Sequence, residues 1–417
     1  MLPQRLPAVI VILLPLLLGC AEDHHPILYS DDFAGGPPPA ISSISSPTGN
    51  YLAGVTQMTM TGTHFSATPA NNYIYFDTTR ANVLNATTTS LIVQVPYFPI
   101  KKDSVRHTLI RATVLGAQTF DSTWCDLKAA MTKFPAVDAG DEVWSLASDG
   151  AGLMYAALYR LALSALDTSF GTIVRYSLNL GTCDTIMRNV GRRFPCMQVS
   201  NDGFLYLLLE GTAVLLRAPL SGGTLALYQT LTGMADPKGF DFDVNHNIWI
   251  ISGASAATKL GRITSAKAYR TFNFPLGSAK AVRVFGNDLY VSVSNDTMDA
   301  VWKAPIVSAD SLGTFQVYFD MKTKYSNRVS ALAIDFSADQ WMYLGLDNRS
   351  SDGILLVAPG GTAASVLYAP LIKFNAPVSS FAWGTGSDLY AARRIGKPNS
   401  WIYYINTEKT GAPYYSR

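Results

Sequence analysis

Acidic and amide side chains recur beside short apolar stretches in the C-terminal two-thirds of the chain. They are Glu142, Asn201, Asp241, Asp243 and Asp335. Asp241 and Asp243 are two residues apart, so they share one face if the segment is a β-strand. Carboxylate and amide oxygens are the ligands that Ca²⁺ prefers in proteins. The pattern predicts a metal site with calcium as its cofactor, formed by Glu142, Asp241 and Asp243; the alternative is that these side chains satisfy neighbouring strands and turns.

Few other side chains offer catalytic chemistry. His246 is the one histidine beyond residue 141, and it lies in a polar stretch where it is either an exposed turn residue or a general base. Trp341 follows a turn-forming Asp-Gln pair, and an exposed indole there could stack on a sugar ring. His246 and Trp341 are therefore the candidate ligand-binding residues. The sequence has neither a Gly-x-Ser-x-Gly elbow nor a phosphate-binding glycine loop, so no catalytic residue is assigned.

The first 20 residues have the pattern of an export signal. Arg5 precedes a short apolar run, Ala8 to Leu18, that is too short and too rich in proline to span a bilayer comfortably. The sequence Leu17-Leu18-Gly19-Cys20 resembles the lipobox of bacterial lipoproteins. That resemblance implies that Cys20 is lipidated and becomes the first residue of the mature chain, whereas the alternative is an ordinary signal peptide with a chance cysteine.

Residues 21–39 contain few core-forming side chains and a triple proline, as is typical of a flexible tether. The sequence Ala21-Glu22-Asp23 lacks an aspartate directly after Cys20, and this favours the outer membrane. We expect a protein that is anchored to the bacterial outer membrane by lipid and lies on its periplasmic or surface side.

Three cysteines remain beyond Cys20. An exported protein enters an oxidising compartment, so Cys183 and Cys196 could form a disulfide and leave Cys125 unpaired. The alternative is that all three are small buried side chains. No Cys/His spacing typical of zinc occurs.

Residues 40–122 alternate short β-branched runs with Gly, Asn and Pro turns, which predicts a small antiparallel sandwich. The segments Gly54 to Phe65, Tyr73 to Asp77 and Ala81 to Pro96 resemble the IPT/TIG immunoglobulin-like family. His64 stands where the family often has Asn, and Asp77 where it usually has Gly. The resemblance implies a spacer or a protein- or glycan-binding module without catalytic residues.

Between residues 141 and 417 one pattern recurs six times: an apolar stretch, a polar or glycine turn, and an apolar-aromatic pair. The aromatic residues are Tyr155, Tyr206, Trp249, Tyr290, Tyr343 and Tyr390. Repeats of about 45 residues with four short strands are typical of propeller blades. The pattern resembles the six-bladed NHL and gluconolactonase-like propellers, and the resemblance implies that Glu142 holds a metal. We expect the repeated aromatics and most tryptophans to pack between blades.

Residues 123–140 connect the two predicted domains, and the sequence leaves open which segment closes the ring. Thr132 to Val137 could add an outer strand to the last blade. Alternatively, Gly411 to Tyr415 could supply that strand.

The 417 residues include 48% hydrophobic and 15% charged side chains, with a net charge of +2. This composition suits a folded β protein and argues against a nucleic-acid partner. The predicted fold class is all-β, an immunoglobulin-like sandwich followed by a six-bladed propeller. A rigid propeller face with variable loops suits binding, so we expect an envelope-anchored module for a protein or a polysaccharide. The alternative is a metal-dependent lactonase, hydrolase or lyase with its site at the central channel.

Overall fold

A computed structural model describes residues 35–134, 141–160, 170–190, 192–254, 258–369, 371–395 and 400–415. These residues form 34 strands and three 3-10 helices, Pro69–Asn71, Met321–Thr323 and Pro359–Gly361, and they contain no α-helix. The prediction of an all-β protein is confirmed. The predicted leader with Cys20, and the tether up to residue 34, lie outside the described residues. No helix in the described ranges is long and apolar enough to cross a membrane.

Two sheets form an N-terminal sandwich. Its strands are β1 (Ala40–Ser45), β2 (Tyr51–Leu52), β3 (Gln57–Thr63), β4 (Asn72–Phe76), β5 (Thr79–Arg80), β6 (Asn82–Ala86), β7 (Ser90–Gln94), β8 (Val105–Val114) and β9 (Asp121–Lys128); β10 (Met131–Phe134) follows. One sheet has the order β1, β3, β7, β6, and the other has the order β2, β9, β8, β4, β5. Because β9 ends at Lys128, the sandwich continues beyond residue 122.

The sandwich strands bury every second side chain. Met58 and Met60 of β3 point inward with Ile74 and Phe76 of β4, and all four are fully buried. This alternation places one face of each sheet on the core. At the end of β3, a Cβ on Gly62 would lie 2.7 Å from the ring of Phe65, so the corner requires glycine.

The two departures from the immunoglobulin-like pattern have a backbone explanation. His64 and Asp77 both adopt positive φ angles, 60° and 54°. Glycine and asparagine reach this left-handed region most easily, while histidine and aspartate tolerate it better than most other residues. The substitutions therefore preserve the two turns.

The remaining described residues form six sheets arranged as propeller blades. Blade 1 contains β11 (Asp141–Ser148), β12 (Leu153–Arg160), β13 (Phe170–Ser177) and β14 (Thr182–Val190). Blade 2 contains β15 (Met197–Val199), β16 (Phe204–Leu208), β17 (Val214–Pro219) and β18 (Ala226–Thr230). Blade 3 contains β19 (Pro237–Phe242), β20 (Ile248–Ser252), β21 (Lys259–Ile263) and β22 (Tyr269–Asn273).

Blade 4 contains β23 (Ser278–Phe285), β24 (Asp288–Ser294), β25 (Asp299–Ser308) and β27 (Gln316–Asp320), with the short β26 (Ser311–Leu312) paired to β25. Blade 5 contains β28 (Ala331–Phe336), β29 (Met342–Leu346), β30 (Ile354–Val357) and β31 (Ala364–Val366). Blade 6 contains β32 (Val378–Trp383), β33 (Asp388–Arg393) and β34 (Trp401–Asn406), and β10 is its outer strand.

The connector before the propeller closes the ring. In β10, Met131 pairs with Ile405 and Phe134 pairs with Ile402, both in β34. The structure thus decides between the two predicted closing segments in favour of the N-terminal one, of which residues 135–137 lie outside the described ranges. Gly411 forms an isolated bridge with Ser337 instead.

The repeated aromatic residues pack inside the ring, as predicted from their period. Tyr155, Tyr206, Trp249, Tyr290, Tyr343 and Tyr390 are each at most 5% exposed. Tyr206 meets Phe242 of the next blade edge-on at 5.4 Å between ring centres, and Tyr343 meets Trp383 of the next blade at the same distance. These edge-to-face contacts hold adjacent blades together.

The sandwich packs against blade 6. Lys102 of the sandwich places its Nζ 3.3 Å from the Asp388 carboxylate and 5.3 Å from the centre of the Tyr404 ring. Burial raises the pKa of Asp388, and the Lys102 ammonium opposes that rise. The ion pair therefore compensates a carboxylate that the domain contact has removed from water.

Candidate functional site

The innermost strands β11, β15, β19, β23, β28 and β32 surround the propeller axis, and each contacts the next. They enclose a cavity of about 70 Å³ that is lined by residues of all six strands. We call the side on which these strands begin the mouth face. The opposite side, with the turns that follow the inner strands, is the turn face. The cavity has room for about five water molecules.

Five inner strands carry a β-bulge near their start. The residues at the register shifts are Trp144, Lys238, Lys280, Leu332 and Ser379. A bulge redirects a side chain and is common beside functional sites. Four of these residues, all except Trp144, line the central cavity. The same bulge near the start of an inner strand therefore places a different side chain at the mouth in each of these five blades.

Two of these bulge residues are lysines of neighbouring blades, Lys238 in blade 3 and Lys280 in blade 4. The Nζ of Lys238 lies 2.9 Å from Asp236, and its carbon chain covers Gly253, where a Cβ would come within 2.5 Å of it. The Nζ of Lys280 donates a hydrogen bond to the Ser278 hydroxyl at 3.0 Å. Within the described part of the chain, Lys280 forms no ion pair. The cavity wall thus carries one paired and one unpaired ammonium.

The floor of the cavity is a buried guanidinium held by two carboxylates. Arg283 lies 3.6 Å from Asp241 and 3.4 Å from Asp335, and these three residues are 6%, 1% and 0% exposed. Burial alone would lower the pKa of Arg283, but the two carboxylates raise it, so Arg283 remains a cation. Burial raises the pKa of Asp241, and Arg283 opposes that rise.

The C-terminal segment closes the floor from the turn face. Tyr414 is 5% exposed, and the Phe336 amide donates to its hydroxyl at 2.7 Å. That hydroxyl donates to Asp335, and the Arg283 guanidinium lies 3.6 Å from the centre of the Tyr414 ring. The cavity is consequently a pit that opens toward the mouth face.

Arginine and tryptophan side chains meet beside the pit. The guanidinium of Arg394 lies 3.9 Å from the centre of the Trp144 ring, and that of Arg193 lies 4.9 Å from it. The Trp144 indole N–H donates to Glu142 at 3.1 Å, and Arg193 pairs with Glu210 at 3.1 Å. Burial lowers the pKa of Arg394. A cation that is partly removed from water gains more than an exposed one from an added anion.

The three predicted calcium ligands lie in three different settings. Glu142 lies beside the mouth with Trp144, and Asp241 lies on the floor with Arg283. Asp243 accepts hydrogen bonds at 2.8 to 2.9 Å from the Asn245 and Asn247 amides, the Asn247 side chain and the Trp249 indole. Within the described ranges no three Asp, Glu, His or Cys side chains are grouped as metal ligands. The calcium site therefore remains a prediction from sequence.

The two predicted ligand-binding residues lie on the turn face. His246 is exposed in a turn with φ of 57° and borders a groove of about 470 Å³ with Asn201, Tyr414 and Tyr415. Trp341 is half-buried, and the Lys409 ammonium lies 5.1 Å from its ring centre. Both are thus separated from the pit by the Tyr414 floor, and their role in binding stays a prediction.

The predicted disulfide between Cys183 and Cys196 is not formed. Cys183 is exposed on the outer strand β14, whereas Cys196 lines the central cavity, so the two sulfurs lie on different layers of the blades. Burial raises the pKa of Cys196 to about 12. Its thiol is therefore protonated at neutral pH and is a poor nucleophile.

The architecture defines the class of protein: an all-β chain in which an immunoglobulin-like sandwich is joined to a propeller. Residues 39–122 match the family model described as the IPT/TIG domain. Comparison with proteins of curated function finds no significant sequence match.

Solved structures share the propeller. A luciferin-regenerating enzyme is 11% identical, with a TM-score of 0.54 over 69% of this chain and 98% of that chain. The calcium-binding protein regucalcin from Agrobacterium tumefaciens is 10% identical, with a TM-score of 0.51 over 68% of this chain and 96% of that chain. A candidate phosphatase from Bacteroides thetaiotaomicron is 12% identical, with a TM-score of 0.52 over 89% of this chain and 97% of that chain. At these identities the likeness establishes the fold alone.

Sequence reasoning did not identify the cationic side chains around the pit. Neither Lys238 nor Lys280 was assigned a role from the sequence. Trp144 belongs to the tryptophans expected to pack between blades, and it does pack in part against the core cluster of blades 1 and 2. A usable signal was present, because Pro237-Lys238-Gly239 and Ala279-Lys280-Ala281 both place a lysine between small or imino residues early in an inner strand. Such a shared position in two repeats indicates a common bulge.

Proposed function

We propose that this protein is an envelope-anchored binding module that recognises a polysaccharide through the mouth face of its propeller. The observation that carries this proposal is the closed-ended pit on the propeller axis, with Trp144 and its two arginines beside it. A pit with room for about five waters can receive a substituent of an extended chain, while the surrounding face contacts the chain itself.

The chemistry of the mouth supports recognition of sugars. Arginine and lysine side chains donate several hydrogen bonds, and the Trp144 ring supplies an aromatic surface. The arginines stack on Trp144, so fewer of their conformations are lost when a ligand binds. Polar, preorganised side chains of this kind suit a hydroxyl-rich ligand.

The arrangement favours binding over the alternative, a metal-dependent enzyme. Asp241 and Asp335 compensate the Arg283 cation, and Asp243 holds its own turn. A metal ion on the floor would lie against the permanent charge of Arg283, which repels it. Calcium binding at the mouth would have to use Glu142, which already accepts the Trp144 indole N–H.

The proposed location rests on the leader sequence. We place the protein at the outer membrane through a lipid on Cys20, with residues 21–39 as the tether to the sandwich. The Cys20→Ser variant should move from the membrane fraction to the soluble fraction. Continued membrane attachment of that variant would overturn the proposed anchor.

Binding is tested with the purified full-length protein on an array of bacterial, plant and animal polysaccharides. Trp144→Ala should abolish binding, because it removes the aromatic surface that holds both arginines. Trp341→Ala is the matched control on the turn face and should bind like the wild type. Loss of binding in the Trp341→Ala control alone would show that the binding site lies on the turn face. If no polysaccharide binds at all, a protein partner is favoured instead.

A further inference from the structure

The pit is lined by charged side chains that can donate hydrogen bonds. Its charged lining consists of Lys238, Lys280 and Arg283, with Asp335 as the one carboxylate among the described lining residues. Asp335 already pairs with Arg283 and accepts the Tyr414 hydroxyl. Asp236 pairs with Lys238, and Asp241 also pairs with Arg283, so Lys280 is the one lining cation without a carboxylate partner among the described residues.

Three buried side-chain atoms of the lining lack a hydrogen-bond partner within the described residues. They are the hydroxyl of Ser379, the Nε of Arg283, which lies 3.6 Å from the Asp241 carboxylate, and one carboxylate oxygen of Asp335. Of these, the Ser379 hydroxyl is a buried donor without an acceptor, which is costly, so an oxygen ligand in the pit would be stabilised by it. Lys238 and Lys280 approach the same space from the bulges of blades 3 and 4.

The size of the pit restricts what can enter. A pit with room for about five waters admits a carboxylate group. The closed floor at Tyr414 prevents a chain from threading through the propeller. An inserted group must therefore project sideways from a ligand that stays at the mouth.

We propose that the pit binds the carboxylate of a uronic acid residue, which makes acidic polysaccharides the ligand class of this protein. Lys280 is the principal contact, because its ammonium has no ion-pair partner among the described residues. Lys238 and the Ser379 hydroxyl contribute the neighbouring donors. This inference rests on the proposed binding of polysaccharide at the mouth face.

The experiment measures dissociation constants of the full-length protein for polygalacturonate, for its methyl ester, and for a neutral galactan. Wild-type protein should bind polygalacturonate at least tenfold more tightly than the ester, and added salt should reduce the difference. Lys280→Met should weaken binding of polygalacturonate about tenfold to a hundredfold, the usual effect of losing a hydrogen bond to a charged group. It should leave binding of the ester unchanged.

Matched variants separate charge from folding. Lys280→Arg retains the charge and should keep most of the affinity, while Lys322→Met removes an exposed lysine away from the pit and should have no effect. Free galacturonate and acetate test whether a small anion alone occupies the pit; tight binding of acetate equal to that of the polymer would overturn the polysaccharide assignment.

The outcomes distinguish the two proposals. If polygalacturonate and its ester bind equally well, the pit does not recognise the carboxylate. If Trp144→Ala then abolishes both, polysaccharide binding at the mouth face is still supported. A preference for polygalacturonate that persists in Lys280→Met would also overturn the assignment of the pit. Absence of binding to all three polymers and to the wider array would contradict the proposed function itself.

Discussion

Replacing Arg283 by methionine should destabilise the propeller strongly and in a pH-dependent way. The side chain compensates Asp241 and Asp335, which lie 3.6 and 3.4 Å from its nitrogens and are both almost fully buried. Removal of one partner from a buried ion pair typically costs about 3 to 5 kcal/mol. We expect a loss of that size at pH 8, a large part of the stability of an ordinary domain.

The sign of the pH dependence follows from the buried Asp241 carboxylate. Burial already raises the pKa of Asp241, and without Arg283 only the backbone amides of Val284 and Phe242 oppose that rise. The folded variant then binds more protons than the unfolded chain, so its stability falls as the pH rises above the pKa of an unfolded aspartate. Each additional bound proton contributes about 1.4 kcal/mol per pH unit. The Arg283→Met variant should therefore be markedly less destabilised at pH 5 than at pH 8.

The assay is urea unfolding of the full-length protein at both pH values, followed by tryptophan fluorescence. Arg283→Lys is the control that keeps a charge, and Asp241→Asn in the Arg283→Met background should restore part of the lost stability at pH 8. An equal loss at pH 5 and pH 8, or no rescue by Asp241→Asn, would refute the proposed charge cluster and leave only a packing role for Arg283.

Asp243→Ala should cost about 1 to 3 kcal/mol, because it leaves the buried Trp249 indole and Asn247 donors unpaired, and urea unfolding measures the loss. It should not change polysaccharide binding, and a loss of bound calcium in this variant would instead support the metal site predicted from sequence. Lys102→Met should lower the unfolding midpoint more at pH 8 than at pH 5, since the pKa of Asp388 is already raised by burial and Lys102 opposes the rise. A midpoint shift that is the same at both pH values would show that the Lys102 contact with blade 6 is not electrostatic.

The fold could be predicted from sequence because it depends on patterns that repeat. The aromatic positions from Tyr155 to Tyr390 mark the same buried site in successive blades. The alternation around Met58 and Met60 marks a strand with one buried face. Such signals are local, so a single sequence is enough to detect them.

The site could not be predicted in the same way, because it depends on which strands meet. A bulge at Lys280 arises from the register between β23 and β24, which one strand alone does not reveal. The contact of Asp335 with Tyr414 joins residues far apart in the chain. Asp241 and Asp243 were grouped by spacing, but Asp241 pairs with Arg283 while Asp243 caps its own turn.

Hydrogen exchange of the full-length protein, with and without a bound acidic polysaccharide, tests the central claim most directly. Ligand binding at the mouth should slow exchange at the starts of the inner strands, around Trp144, Lys280 and Ser379. Exchange in the turn-face segments 244–247 and 338–341 should stay unchanged. Protection confined to those turns would contradict polysaccharide binding through the mouth face.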